Sequence, residues 1–167
     1  ERTIMSFFEL ARCYPEGSSS ASRMALTARS LGWGGIIIFS RDPEKIFMPA
    51  AAERVRGIEV AFGAEAWASG SRALKSRIGS LCSRYPFVVV QGSSEEVIRL
   101  ASEDPNVDLL VHPCDSRRPL GIATARAARQ NQVSIGFDLY PFIHLRGSSR
   151  ARWMQALLHN LELVRKF

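Results

Sequence analysis

Three guanidinium groups gathered around a glycine and a serine pair are the strongest chemical signal in this chain. The segment is Arg146-Gly147-Ser148-Ser149-Arg150-Ala151-Arg152-Trp153, and it leads into a helical stripe. A guanidinium is a planar fork that grips a phosphate through two parallel hydrogen bonds. Gly147 frees the backbone, the serines can cap a helix, and the N–H groups of the first turn point outward at an anion. Cations at a helix N-terminus are unfavourable unless an anion lies between them, so the conflict itself points to a ligand. Arg117-Arg118 follow a strand end directly, on a loop opened by Pro119. Arg126 and Arg129, three apart on one helical face, either extend this strip or are simply solvated. Trp153, at helical spacing from Leu157, reads as core rather than as a stacking platform.

The charge balance agrees. Of 22 Lys/Arg and 16 Asp/Glu, residues 116–167 hold 9 and 2, a balance of +7, which leaves −1 for residues 1–115. Like charges repel, so a segregated basic segment suggests a polyanionic partner; the bland alternative is a solvated basic surface.

Hydrolytic or metal chemistry has weaker support. His159 falls in the last helix, three residues before Glu162, and reads as a surface or half-buried side chain rather than a ligand. His112 ends a strand, where a parallel barrel does its chemistry, and Pro113-Cys114-Asp115 follow it. Metal binding needs several ligands converging, and the acids near strand ends are Glu9, Glu59, Glu65 and Asp138. Those acids can equally pair with arginines. No H-x-H, H-x-x-E or G-x-S-x-G pattern accompanies them. A divergent metal phosphoesterase using Glu9, His112 and Asp138 remains the rival reading.

These groups need a frame, and the hydrophobic pattern supplies one. Strands are expected at Ile4–Leu10, Gly35–Ser40, Ile58–Gly63, Phe87–Gln91, Val107–His112 and Val133–Tyr140. Several are apolar on both faces, as parallel strands covered on both sides require. Helices are expected between them: around Met24, Ala25, Ala28 and Leu31 with Gly32 as the stop; over Ala50–Arg56; and along Leu74, Ile78 and Leu81. Ser93 and Glu96 read as a capping box, and residues 120–130 are Ala-rich. A last helix carries the stripe Trp153, Leu157, Leu161 and Val164 and ends in Arg165-Lys166. Six β-then-α units in succession mean a parallel α/β sheet. Neither a G-x-G-x-x-G fingerprint nor a P-loop follows a strand, so a (β/α) barrel is preferred over a doubly wound sheet. A full barrel takes about 250 residues. Residues 1–167 are therefore expected to form a single barrel domain lacking its last strands and helices.

Composition sets the limits. At 46% hydrophobic, the 167 residues can build a core. No apolar run approaches the ~20 residues that cross a bilayer, and no signal sequence opens the chain. Three cysteines, odd in number and without C-x-x-C, argue for a reducing cytosol and against a disulfide framework or zinc site. A cytoplasmic, membrane-free protein is the expectation.

The stretch from Val133-Ser134-Ile135-Gly136-Phe137-Asp138-Leu139 through Arg150-Ala151-Arg152-Trp153 to Asn160-Leu161-Glu162-Leu163-Val164-Arg165-Lys166-Phe167 resembles the ribonuclease P protein component 3 family. Phe7-Phe8-Glu9-Leu10, Ser30-Leu31-Gly32-Trp33-Gly34-Gly35-Ile36 and Asn106-Val107-Asp108-Leu109-Leu110-Val111-His112-Pro113 resemble other segments of it. The resemblance implies a TIM-like barrel related to the polymerase and histidinol phosphatase superfamily. Where those relatives open with D-L-H-x-H, this chain has Glu9-Leu10-Ala11-Arg12-Cys13, so neither histidine is present. It further implies a subunit, not itself catalytic, that supports the RNA removing the 5′ leader from precursor tRNA. Mg²⁺ would be held by that RNA, and no cofactor by the chain. The implied partners are RNase P RNA, a small α/β protein subunit in a heterodimer or heterotetramer, and precursor tRNA indirectly. His112, Arg117, Arg118, Arg146, Arg150 and Arg152 are the residues expected to face RNA. Trp67, in a loop unlike the family pattern, is either a partner anchor or packed.

Overall fold

A computed structural model describes residues 7–46, 55–114 and 119–167. The chain forms two compact units: Glu1–Glu65 with Ser83–Phe87, and Ala66–Cys82 with Val88–Phe167.

The first unit holds β1 (Phe8–Ala11), α1 (Ala21–Ser30), β2 (Gly35–Ser40) and nearly all of β3 (Glu59–Ala66). Its strands are parallel, in register from Phe8↔Gly35 to Ala11↔Ile38 and from Gly35↔Glu59 to Ser40↔Ala64. Ile36 and Ile38 of β2 are buried against Ala21, Ala25 and Ala28 of α1, with Cys13 and Ile46 closing the cluster. Ser20 caps α1 by accepting from the Arg23 N–H, and Gly32 ends it at φ +84°, as the sequence suggests.

In the second unit, β4 (Val88–Gln91), β5 (Leu109–His112) and β6 (Ser134–Phe137) alternate with α2 (Ser71–Cys82), α3 (Glu95–Glu103) and α4 (Ile122–Gln130). Two further helices, α5 (Tyr140–His144) and α6 (Gly147–Lys166), follow β6. The strands are again parallel, with Val89↔Leu109, Leu109↔Ser134 and His112↔Phe137 in register. Leu74, Ile78 and Leu81 bury one face of α2, matching the helical spacing read from the sequence. The strand order follows the chain in both units and never reverses, unlike a doubly wound sheet.

Several boundaries differ from the sequence reading, each for a local reason. Ile4 to Ser6 and most of Ala50–Arg56 lie outside the described residues. The cap of α3 is Ser94 rather than Ser93: Ser94 is extended and its hydroxyl accepts from the Val97 N–H, so Glu96 cannot complete a capping box. β6 stops at Phe137 because Asp138 Oδ1 accepts from the Tyr140 N–H at 2.9 Å, turning the chain into α5. On α6 the buried face is Trp153, Ala156 and Asn160. Leu161, expected in the core stripe, is exposed. A polar asparagine thus occupies the place that apolar periodicity assigned to leucine.

Gly63 in β3 leaves no room for a side chain. A Cβ there would lie 2.8 Å from the Phe87 carbonyl oxygen, which already accepts from the Ala64 N–H at 2.8 Å. Gly63→Ala is therefore expected to lower stability by about 1–3 kcal/mol, the usual range for overpacking, measured by urea unfolding. An unchanged midpoint would contradict this packing.

Candidate nucleic-acid interface

The chain leaves β6 through the Asp138 turn, and Pro141 near the start of α5 suits a position whose N–H needs no partner. Leu145 closes α5 by donating to the Pro141 carbonyl at 2.8 Å. Leu145 and Arg146 are extended and Gly147 takes φ +52°, a left-handed conformation that glycine adopts without a Cβ penalty. This short joint turns the chain from α5 into α6.

Two arginines converge on it. The Leu145 carbonyl accepts from Arg146 Nη1 at 3.0 Å and from Arg150 Nε at 2.8 Å. Arg146 Nη1 also donates to the Ile143 carbonyl. The Arg150 guanidinium stands 5.6 Å from the Phe142 ring centroid, and Phe142 lies 6.5 Å from Trp153. No carboxylate pairs with Arg146, Arg150 or Arg152 among the described residues. The unfavourable placement of cations at a helix start is thus partly relieved by neutral carbonyls of the preceding turn, while their charge stays uncompensated. The serine pair does not cap: Ser148 and Ser149 lie inside α6, and Arg146 at the N-cap offers no side-chain bond to the first turn.

The expected cradle of three is a pair plus one. Arg146 and Arg150 share a carbonyl. Arg152 is exposed but lies two residues beyond Arg150, about 200° around the helix, and so opens on the other flank of α6. Arg117 and Arg118 lie outside the described residues.

His112 lies in the interior. It is 1% exposed and forms part of a buried polar hub. Its Nδ1 accepts from the Cys114 N–H at 3.1 Å and lies 3.3 Å from Asn160 Nδ2. Asn160, fully buried, accepts from the Leu120 N–H at 3.0 Å and reaches Cys114 Sγ at 3.6 Å. Burial pushes the Cys114 thiol pKa up, the Asn160 hydrogen bond opposes this, and the Asp138 charge adds to it. An imidazole enclosed in this way is an interior group. Asn160 thereby ties α6 to Cys114, just after β5, and to Leu120, just before α4.

The acids near strand ends behave as structural partners. Glu65, 1% exposed, accepts from Arg12 and, at 2.9 Å, from Arg41 Nε. Glu9 is exposed and accepts from the Leu10 N–H, while Asp138 is used in the turn before α5. Among the described residues no three His, Cys, Asp or Glu side chains stand close enough to hold a metal ion. No helix among them is long and apolar enough to cross a membrane.

A family model described as RNase P subunit p30 matches residues 6–167. The chain belongs to the RNase P subunit p30 family. Ribonuclease P protein component 3 of Methanosarcina mazei is 34% identical over 154 residues, and that of Methanosarcina acetivorans 36% over 154. Each match covers 92% of this chain and 64% of the relative, so the chain spans about two thirds of their length. The Haloarcula marismortui counterpart is 32% identical over 158 residues, covering 94% of this chain and 67% of its own. A chain in the cryo-EM structure of archaeal ribonuclease P with mature tRNA superposes with a TM-score of 0.76 at 19% identity. That superposition covers 96% of this chain and 69% of the other, and it shows a shared fold. The α/β fold expected from the sequence, consistent with an incomplete TIM-like barrel, is thus the fold of this p30-family chain.

Neither Asn160 nor Glu65 stood out in the sequence as a structural hub. Asn160 left one trace, a polar residue seven positions after Trp153 on an otherwise apolar face. Asn160→Ala would leave the Leu120 N–H buried without its acceptor, and a loss of about 1–3 kcal/mol is expected in urea unfolding. A stability within experimental error of the parent would mean that the hub does not hold α6.

Proposed function

We propose that this chain serves as a protein subunit of ribonuclease P, binding and stabilising the RNA that removes the 5′ leader from precursor tRNA. The observation that carries this reading is the Arg146–Arg150 pair at the α5–α6 joint, Arg146 exposed and Arg150 half-buried, matched by no carboxylate among the described residues, within a segment of balance +7. Such a pair suits phosphate oxygens. Arg152 on the other flank, together with Arg117 and Arg118, would engage further phosphates of the same RNA. Membership of the p30 family and the names of its relatives support this choice among polyanions.

The remaining parts of the proposal are an RNase P RNA as direct partner, a small α/β protein subunit in a heterodimer or heterotetramer, and precursor tRNA met only through the assembly. Mg²⁺ would belong to the RNA, with no catalytic residue supplied by the chain and a cytoplasmic site of action. A metal phosphoesterase is the weaker reading, because His112 is committed to Cys114 and Asn160, and Asp138 to the turn before α5.

Binding to RNase P RNA is expected to weaken with salt. Replacing Arg146, Arg150 and Arg152 by Ala should flatten the plot of log K against log[salt] by about one unit per lost phosphate contact. Circular dichroism and the ability to restore RNA cleavage at low Mg²⁺ would be followed in parallel. An unchanged slope in a folded triple variant would contradict these three contacts.

A further inference from the structure

The outer side of α5 carries a feature that phosphate binding does not use. Tyr140 and His144, one helical turn apart, are stacked with ring centroids 3.8 Å apart and planes 27° from parallel. Both are exposed, Tyr140 to 62%. Phe142, two residues from each, approaches Trp153 and Arg150 instead. No residue of α5 is buried: Phe142, 46% exposed, rests only partly against α6, while the Tyr140–His144 pair lies exposed. The cation is close by. Arg146 Nη1 is bonded to the carbonyls of Ile143 and Leu145, on either side of His144. Among the described residues its Nε and Nη2 donate to nothing else, so those donors are free for an anion.

We propose that the Tyr140–His144 stack takes an unpaired RNA base on its outer face, with Arg146 holding the adjacent phosphate. This rests on the RNA-binding reading above and adds that the site takes a single-stranded nucleotide rather than duplex backbone. Every base has a π face that an exposed aromatic ring can continue, and proteins read RNA mostly through such splayed bases. Base pairs inside a duplex hide those faces. Charge favours RNA over a protein strand as the occupant: Asp138 and Glu162 are the only carboxylate side chains in residues 116–167, and the ring pair sits beside uncompensated arginine. Arg146 accounts for affinity and its salt dependence, and the rings account for the preference for unpaired RNA.

The test uses the 167-residue chain and a short RNA containing 2-aminopurine, free or annealed to its complement. Binding of the single strand should quench the 2-aminopurine fluorescence. Tyr140→Ala should abolish the quenching and weaken single-strand binding about ten-fold, within the range of base–aromatic stacking. Duplex affinity and the salt slope should stay unchanged, because stacking releases no counterions. Tyr140→Phe, which keeps the ring, should retain both quenching and affinity. Equal losses on single strand and duplex, or no loss on either, would overturn the stacking proposal while leaving salt-dependent RNA binding intact. Absence of any salt-dependent binding would remove the RNA reading and this proposal together. If Tyr140→Ala spared RNA binding but abolished association with a protein subunit, the rings would be a protein-docking surface and the proposal would be wrong.

Discussion

One buried amide holds the basic end of this protein in place. Asn160 lies on the inner face of α6, where its carbonyl oxygen satisfies the Leu120 N–H and its NH₂ group faces His112 and Cys114. A buried backbone N–H without a partner costs more than an ordinary hydrogen bond contributes, so this arrangement strongly favours a single seating of α6. Rotating α6 would break all three contacts together. The direction of its arginines follows from that seating: Arg146 and Arg150 at the joint with α5, Arg152 on the opposite flank. Cys114, in the left-handed region at φ +49°, adopts a backbone conformation that its neighbours must enforce. The hub supplies that enforcement.

The same unit shows how a protein can gather positive charge without an internal counter-ion. Arg146 and Arg150 bond to neutral carbonyls, which orient a guanidinium without cancelling its charge. In the first unit Arg12 and Arg41 do the reverse: both pair with Glu65 and Arg12 also with Glu16, so two guanidiniums meet two carboxylates. The contrast separates arginines whose charge is met by a carboxylate from arginines held only by neutral carbonyls. Glu65 is fully buried while Arg41 is half exposed, so the carboxylate repays its desolvation only through these guanidinium contacts, and removing them is costly. Glu65 therefore reads as an organiser of strand ends rather than as a remnant of hydrolytic chemistry.

Local patterns were legible in the sequence, and long-range polar contacts were not. β2 matches its expected span, Gly35–Ser40, because an apolar run covered on both faces has sharp ends. α2 follows from Leu74, Ile78 and Leu81 for the same kind of reason. The cluster of cations was visible in composition, but its division by α6 needed the helix phase, which Asn160 shifted away from the leucine stripe. A histidine at a strand end is ambiguous in sequence, and the burial of His112 follows from partners two and 48 residues away. α5 was concealed by its own brevity, and the Asp138 turn that creates it resembles the tail of a strand.

The central claim is that RNA contacts this protein at the α5–α6 joint. Ultraviolet crosslinking of the chain to RNase P RNA, followed by mapping of the nucleotide-bearing residues by mass spectrometry, tests it most directly. Adducts are expected within residues 140–152 and should be lost when Arg146 and Arg150 are both replaced by Ala. Adducts confined to the unit that holds Arg12, Arg41 and Glu65 would contradict it.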